Sequence, residues 1–323
     1  MTSLAQQPSL LLYLPPELIL ESLAQVNYTP GHLDQLRLVC HDFNDLLQQY
    51  EHSLSLEIIC LQFPPNILAK YPGLHTPGSS LGFKTLDELY MRFNTLFRIE
   101  RNCHNIRRRE GKEAAWMRPE WVNLQQAGMH LLYRIHDSSK PLRPYPYTDT
   151  MLTQSESHEN KAQIIKSLPP TSLAILLLTL HLCVHQLRSD GPCILIPTSP
   201  MLHGMLRFEV ELCTQELILH HGPSYQDALL CHCPHATSLL ETEVRNMETR
   251  QLPSEDGKDA QRTLIAECRC RLAETLGSDV EHNRKDMWSI LERIGSLTEE
   301  DVVNVIRGEE LITRKRQDSG VGL

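Results

Sequence analysis

The strongest constraint on this chain lies near its start. Leu14-Pro15-Pro16-Glu17-Leu18-Ile19-Leu20 and, after a break, Leu36-Arg37-Leu38-Val39-Cys40-His41-Asp42-Phe43 are two apolar blocks set at helical spacing. Pro16 suits the first turn of a helix, where a missing N–H costs nothing. Leu18, Ile19, Ser22, Leu23 and Val26 carry that helix onward, and Asn27-Tyr28-Thr29-Pro30-Gly31 stops it. Leu33, Leu36, Val39 and Cys40 predict a second amphipathic helix. Phe43, Leu46, Leu47 and Tyr50 predict a third, or an extension of the second past a bend at Asp42. A segment of this size, residues 12–59, buries too little surface to be stable alone. Leu20, Leu23, Val39, Phe43 and Leu47 are therefore not expected all to be covered internally, and a partner groove that accepts helix faces would complete them. Leu14 and Pro15 are the expected leading contact, since a rigid proline presents itself at little entropic cost.

With 323 residues the chain has room for one large domain or two smaller ones. Aromatic residues make up only 6%, so the core is expected to be built from Leu, Ile, Val, Met and Cys, a mixture that favours helices. A net charge of −9 argues against nucleic acid as a partner, because affinity for phosphates comes mainly from clustered Lys and Arg. The ten Cys show no disulfide-framework spacing. No cationic stretch precedes the first apolar run, which Pro15-Pro16 interrupts, so no secretory signal is expected. Free thiols in an intracellular compartment, cytoplasm or nucleus, are the expectation. Leu173 to Val184 is strongly apolar but contains His181 and gives way to His185-Gln186-Leu187-Arg188, short of the roughly 20 residues a membrane span requires. A buried core helix and no membrane are expected.

The fold class predicted is mainly α: a small N-terminal three-helix unit over 12–59, then an irregular all-helical domain over 85–312. Residues 1–11 and 313–323 are expected to be disordered, and 60–84, with Phe63-Pro64-Pro65 and a Pro/Gly/Ser-rich run from Tyr71 to Gly82, to be a connector. Thr85-Leu86-Asp87-Glu88 reads as a capping box opening a helix with Leu86, Leu89, Tyr90, Phe93, Leu96 and Phe97 on one face. Pro119 opens another. Ser138 to Asn160 reads as a polar loop, and Cys193 to Ile196 as extended chain between two prolines. Met201 to His220 predicts a helix ended by Gly222, followed by a shorter one capped by Ser224. Residues 247–259 are a linker candidate, and helices are expected near Gln261 to Leu276, Asp286 to Ile294 and Thr298 to Ile306. No period of about 20–50 residues recurs, so no repeat array is expected.

The N-terminal unit resembles the F-box. The residues that carry the likeness are Leu14-Pro15, Glu17-Leu18-Ile19, Leu23, Leu33, Leu36-Arg37-Leu38-Val39-Cys40, Phe43 and Leu46-Leu47. The resemblance implies a three-helix unit that docks on the Skp adaptor of SCF-type ubiquitin ligases. It implies a cullin scaffold behind the adaptor, and a protein substrate of unknown identity held by the rest of the chain. Leu14, Pro15, Glu17, Leu20, Leu23, Leu36, Val39, Cys40, Phe43 and Leu47 would be the adaptor contacts. On that reading the chain catalyses nothing and needs no cofactor; it works by raising effective concentration.

Weaker signals stand beside bland readings. Cys231-His232-Cys233-Pro234-His235 invites a zinc-binding alternative, with Cys268 and Cys270 as further ligands. Cys268 and Cys270 fall two apart on an expected helix and face different ways, so buried free thiols and no metal are the preferred reading. Arg98, Arg101, Arg107, Arg108, Arg109 and Lys112 form a basic cluster at a helix end, read as a solvated face or, more sharply, as a site for an acidic or phosphorylated peptide. No phosphate loop, dinucleotide fingerprint, His-Glu-x-x-His or Gly-x-Ser-x-Gly occurs, which lowers the prior for an enzyme. A further alternative is a helical interaction scaffold that uses the F-box-like unit outside a ubiquitin ligase.

Overall fold

A computed structural model describes residues 14–74, 81–110, 121–138, 154–192, 207–250 and 262–311. Among the described residues the protein is all-helical, with thirteen α-helices and no strand. The chain divides into two compact units, Met1–Asn94 and Thr95–Leu323, with the division inside one long helix.

The first unit contains α1 (Pro16–Gln25), α2 (His32–Arg37), α3 (His41–Gln62), a 3-10 turn (Ile67–Lys70) and the opening of α4 (Phe83–Glu110). Pro16 stands in the first turn of α1, as expected. Gly31 precedes α2 with φ of 74°, a left-handed conformation that favours glycine. The second helix is shorter than its spacing suggests. Leu38 N and Val39 N donate to Gln35 O and Leu36 O, both at 3.1 Å, and these i→i+3 bonds tighten and end α2. Cys40 is extended (φ −161°), so Val39 and Cys40 lie between two helices and the break falls there, ahead of Asp42.

The unit does not end at residue 59. Helix α3 runs on to Gln62, whose side chain donates to Ala24 O and Val26 O and accepts from Tyr28 N, each at 2.8 Å. Asp87 on α4 accepts from Gly31 N at 3.1 Å and from the Tyr28 hydroxyl. Burial, then the bond and charge of Asp87, push the Tyr28 phenol far above its ordinary range and keep it a donor. The polar break between α1 and α2 is thus pinned by side chains from the segment expected to be a connector and from the helix beyond it. Edge-on ring pairs at 5.7 Å, Tyr28 with Tyr90 and Phe63 with Phe93, join the same parts. The capping box expected at Thr85 is not what starts α4. The helix begins at Phe83, whose N–H is accepted by Glu51 Oε1 of α3 at 2.9 Å, while Thr85 sits inside the first turn and Glu88 pairs with Arg92 at 2.9 Å.

The second unit is organised round α7 (Pro170–Asp190). Ser172, Leu173, Ala174, Ile175, Leu176, Leu178, Thr179, Leu180, Leu182, Cys183, Val184, Gln186 and Leu187 are all buried. Because these positions run round the whole helix, α7 can only be satisfied by neighbours on every side. Those are α5 (Val122–Asp137), α8 (Arg207–His221), α9 (Pro223–Leu230), α11 (Leu264–Leu276), α12 (Asn283–Ile294) and α13 (Glu299–Arg307). By length and composition alone α7 could cross a membrane, but 78% of its most apolar stretch is covered by the protein itself. Gly128 lets α5 approach α7: a Cβ there would fall 1.9 Å from Thr179 Oγ1 and 3.2 Å from Ile175 O. A buried polar chain crosses this core. Gln186 donates to Ile99 O (2.9 Å), Gln226 to Gln186 Oε1 (2.8 Å), and the Cys183 thiol to Gln226 Oε1 (3.0 Å).

Other expectations are corrected here. Gln154 to Asn160 belongs to α6 (Gln154–Ser167) rather than to a loop, and Met247 to Arg250 closes α10 (Pro234–Arg250) rather than opening a linker. Gly222 follows the end of α8 as expected and is also the cap residue of α9, so Ser224, expected as the cap, lies one residue inside that helix. Thr298 and Asp301 form a reciprocal capping box on α13. The expectations for residues 1–11, Pro119, Cys193 to Ile196, 251–259 and 313–323 fall outside the described residues.

Candidate partner-docking surface

The structure sorts the ten expected contact residues into two sets. Leu20, Phe43 and Leu47 are buried, together with Ile19, Ala24, Leu33, Leu54 and Ile58. Their apolar faces are covered by this chain, so of the five residues not expected all to be covered internally, Leu20, Phe43 and Leu47 are covered while Leu23 and Val39 are not fully so. Leu23, Leu36 and Cys40 are half-buried, and Pro15 and Glu17 are exposed. Leu14 is 42% exposed and Val39 65%. Two residues not chosen as contacts join them: Leu18 is 47% exposed and Leu38 86%.

The exposed residues fall at two places. Leu14 precedes α1, and Leu18 lies one turn further along on the side that Ile19 and Leu20 do not bury. Leu38 and Val39 leave the helix at the tightened end of α2 and stand in the turn before α3. A turn residue cannot bury itself against its own helix, so both side chains face solvent. Periodicity could not find Leu38: in a helix of only six residues, one slip in the boundary moves a side chain from the inner to the outer face. Fully burying a Leu or Val side chain is favourable by about 1.5–3 kcal/mol. Leu14, Leu18, Leu38 and Val39 therefore hold several kcal/mol of apolar burial that the folded chain leaves unrealised.

Exposed apolar residues scattered singly need no explanation; their distribution here does. Of the eleven large apolar side chains exposed among the described residues, seven (Leu14, Leu18, Val26, Leu38, Val39, Leu61 and Met91) belong to the first unit, much the smaller of the two.

The other candidates resolve differently. Cys231, His232 and Cys233 form the turn between α9 and α10: Cys231 N, His232 N and Cys233 N donate to Asp227 O, Leu229 O and Ala228 O at 2.9, 3.1 and 2.9 Å. Cys231, His232 and His235 are exposed and Cys233 half-buried, while Cys268 is buried in the core, where burial pushes its thiol well above the usual range. These side chains do not gather into a ligand set. Among the described residues the group that does is His158, Glu216 and His220. In the basic cluster, Arg98 is committed to Asp227 of α9, with Nε at 3.1 Å from both carboxylate oxygens and Nη2 at 2.5 Å from Oδ2. Arg101 is exposed, and nothing is described of the side chains of Arg107, Arg108, Arg109 and Lys112.

Compared with known proteins, the chain matches no family model, no curated protein and no solved structure.

Proposed function

We propose that this protein is an F-box-type substrate receptor: its N-terminal helices dock on a Skp-type adaptor of an SCF-type ubiquitin ligase, and the second unit belongs to target recruitment. The reading rests on the resemblance of residues 12–59 to the F-box. One structural observation carries it further: Leu14, Leu18, Leu38 and Val39, within the two blocks of that resemblance, are exposed while the alternate positions Ile19, Leu20, Leu33, Phe43 and Leu47 are buried. A module that only packed on its own chain would have no use for apolar residues in both sets. Complex formation needs a few dominant apolar side chains within an interface of roughly 1,600 Å² in total. The proposal assigns no catalysis, nucleic acid or membrane to this chain. Localisation follows the ligase, in cytoplasm or nucleus.

The test is precipitation of the full chain from cells, with quantification of adaptor and cullin. The doubly substituted Leu38→Asp, Val39→Asp chain should lose both, by at least about 100-fold in adaptor affinity. Its melting temperature should stay that of the wild type, because neither side chain is buried. Recovery of adaptor and cullin unchanged by the substitutions would overturn the reading. Adaptor without cullin would favour the scaffold reading instead.

A further inference from the structure

A second site lies in the Thr95–Leu323 unit and is independent of the docking surface. Glu216 and His220 stand one turn apart on α8, and His158 reaches them from α6. One donor atom from each lies within 4.8 Å of the others. His220 Nε2 is 3.2 Å from Glu216 Oε1. With metal–ligand bonds of about 2.0–2.2 Å, neighbouring ligand atoms in a tetrahedral zinc site stand about 3.3–3.6 Å apart, so this edge already has nearly the required length.

Both flanking ligands are held by bonds of the kind that orient metal ligands. Glu216 Oε1 accepts from Leu264 N at 2.8 Å and Oε2 from Ile265 N at 2.9 Å, which fixes the carboxylate against the start of α11; the second lone pair of Oε1 faces His220 Nε2, and Oε2 keeps one beyond its bond to Ile265. His158 Nε2 is 3.0 Å from Arg262 O. A carbonyl only accepts, so Nε2 carries the proton in that bond and the lone pair is left on Nδ1. A metal-bound histidine ordinarily donates its other N–H to a carbonyl or carboxylate in this way. All three residues are half-buried, so an ion has access from solvent and a water has room beside it. The opposing charge is Lys161, whose ammonium donates to His220 O at 2.6 Å. A cation this close disfavours a hard, weakly held ion such as Ca²⁺ or Mg²⁺ and leaves the field to an ion that imidazole prefers.

We propose that His158, Glu216 and His220 form a site for one zinc-class divalent ion, with three protein ligands and a solvent-facing fourth position, which ties α6 to α8. The ordinary reading is that His220 only bonds to Glu216, Glu216 to the start of α11 and His158 to Arg262 O, and the experiment separates the two. The full chain is stripped with chelator, then titrated with Co²⁺ and with Zn²⁺ by calorimetry and visible absorption. The expected result is one ion per chain, with a four-coordinate cobalt spectrum lacking thiolate charge-transfer absorption. Affinity should fall at least about 100-fold in His158→Gln and in His220→Gln. His158→Gln should keep the metal-free melting temperature of the wild type, which shows that the loss is not unfolding. Cobalt absorption of thiolate type would overturn the proposal by placing the ion on cysteines. No stoichiometric binding, or equal binding by His158→Gln, would overturn it as well.

Discussion

The two units treat their apolar residues in opposite ways. In the second, α7 is buried on nearly every side, and the polar groups that must accompany it, Gln186, Gln226, Cys183 and Thr179, are bonded within the core. In the first, the short helices α1 and α2 bury one row of side chains and expose another. The loop between those helices is held by hydrogen bonds with Gln62 and Asp87 and by the buried Tyr28 ring against Tyr90. One unit spends its apolar surface on itself and the other keeps part of it on display. A region that binds a partner must keep such surface, because apolar area can be buried in an interface only if it is solvated before binding.

The contrast can be broken by substitution. In α7, Leu178→Ala should cost about 2–5 kcal/mol by denaturant unfolding, through lost burial and the cavity left behind. Adaptor binding should be unchanged under conditions where the chain stays folded. Gly128→Ala should cost about 1–3 kcal/mol, since the new methyl must displace Thr179 or push α5 away from α7. A neutral result would mean that the two helices are not closely apposed. In the first unit, Leu14→Ala with Pro15→Ala should show the reverse pattern: stability within about 0.5 kcal/mol of wild type, but adaptor affinity roughly tenfold weaker or more, read by calorimetry.

The smallest effect sharpens the contrast through pH. The Tyr28 phenol has its folded pKa raised by burial and Asp87. The unfolded chain therefore gives up this proton first, from about pH 10, and the contribution of Tyr28 to stability, complete below that pH, is lost progressively as pH rises from there through the raised folded value. Tyr28→Phe should cost about 1 kcal/mol at neutral pH and make the alkaline loss of stability shallower. An unchanged alkaline slope would show that Tyr28 is not held as a donor to Asp87.

The sequence disclosed what local chemistry controls. Helix α7 was legible because an apolar run with no polar face has nowhere to go but a core, and α1 because Pro16 and the Asn27 to Gly31 break bound it. Partners far apart in the chain were not legible. Gln62 on the α1–α2 loop, Asp87 on Gly31 and Glu51 at the start of α4 are single polar side chains acting across tens of residues, and no local pattern marks them. The same holds for His158: Glu216 and His220 stand at helical i,i+4 spacing, but the third member arrives only through the packing of α6 beside α11. The helical start of α6 was missed because Gln154 to Asn160 is polar throughout and carries no periodic signal. Of the candidate docking residues, sequence periodicity mixed the buried row (Leu20, Phe43, Leu47) with exposed positions (Leu14, Val39).

Hydrogen exchange on the full chain, with and without purified Skp-type adaptor, tests the central claim most directly. The account predicts new protection over Leu14 to Gln25 and Leu36 to Phe43, and none over α7, whose amides are already shielded by the core. Exchange left unchanged over those two stretches at saturating adaptor would contradict it.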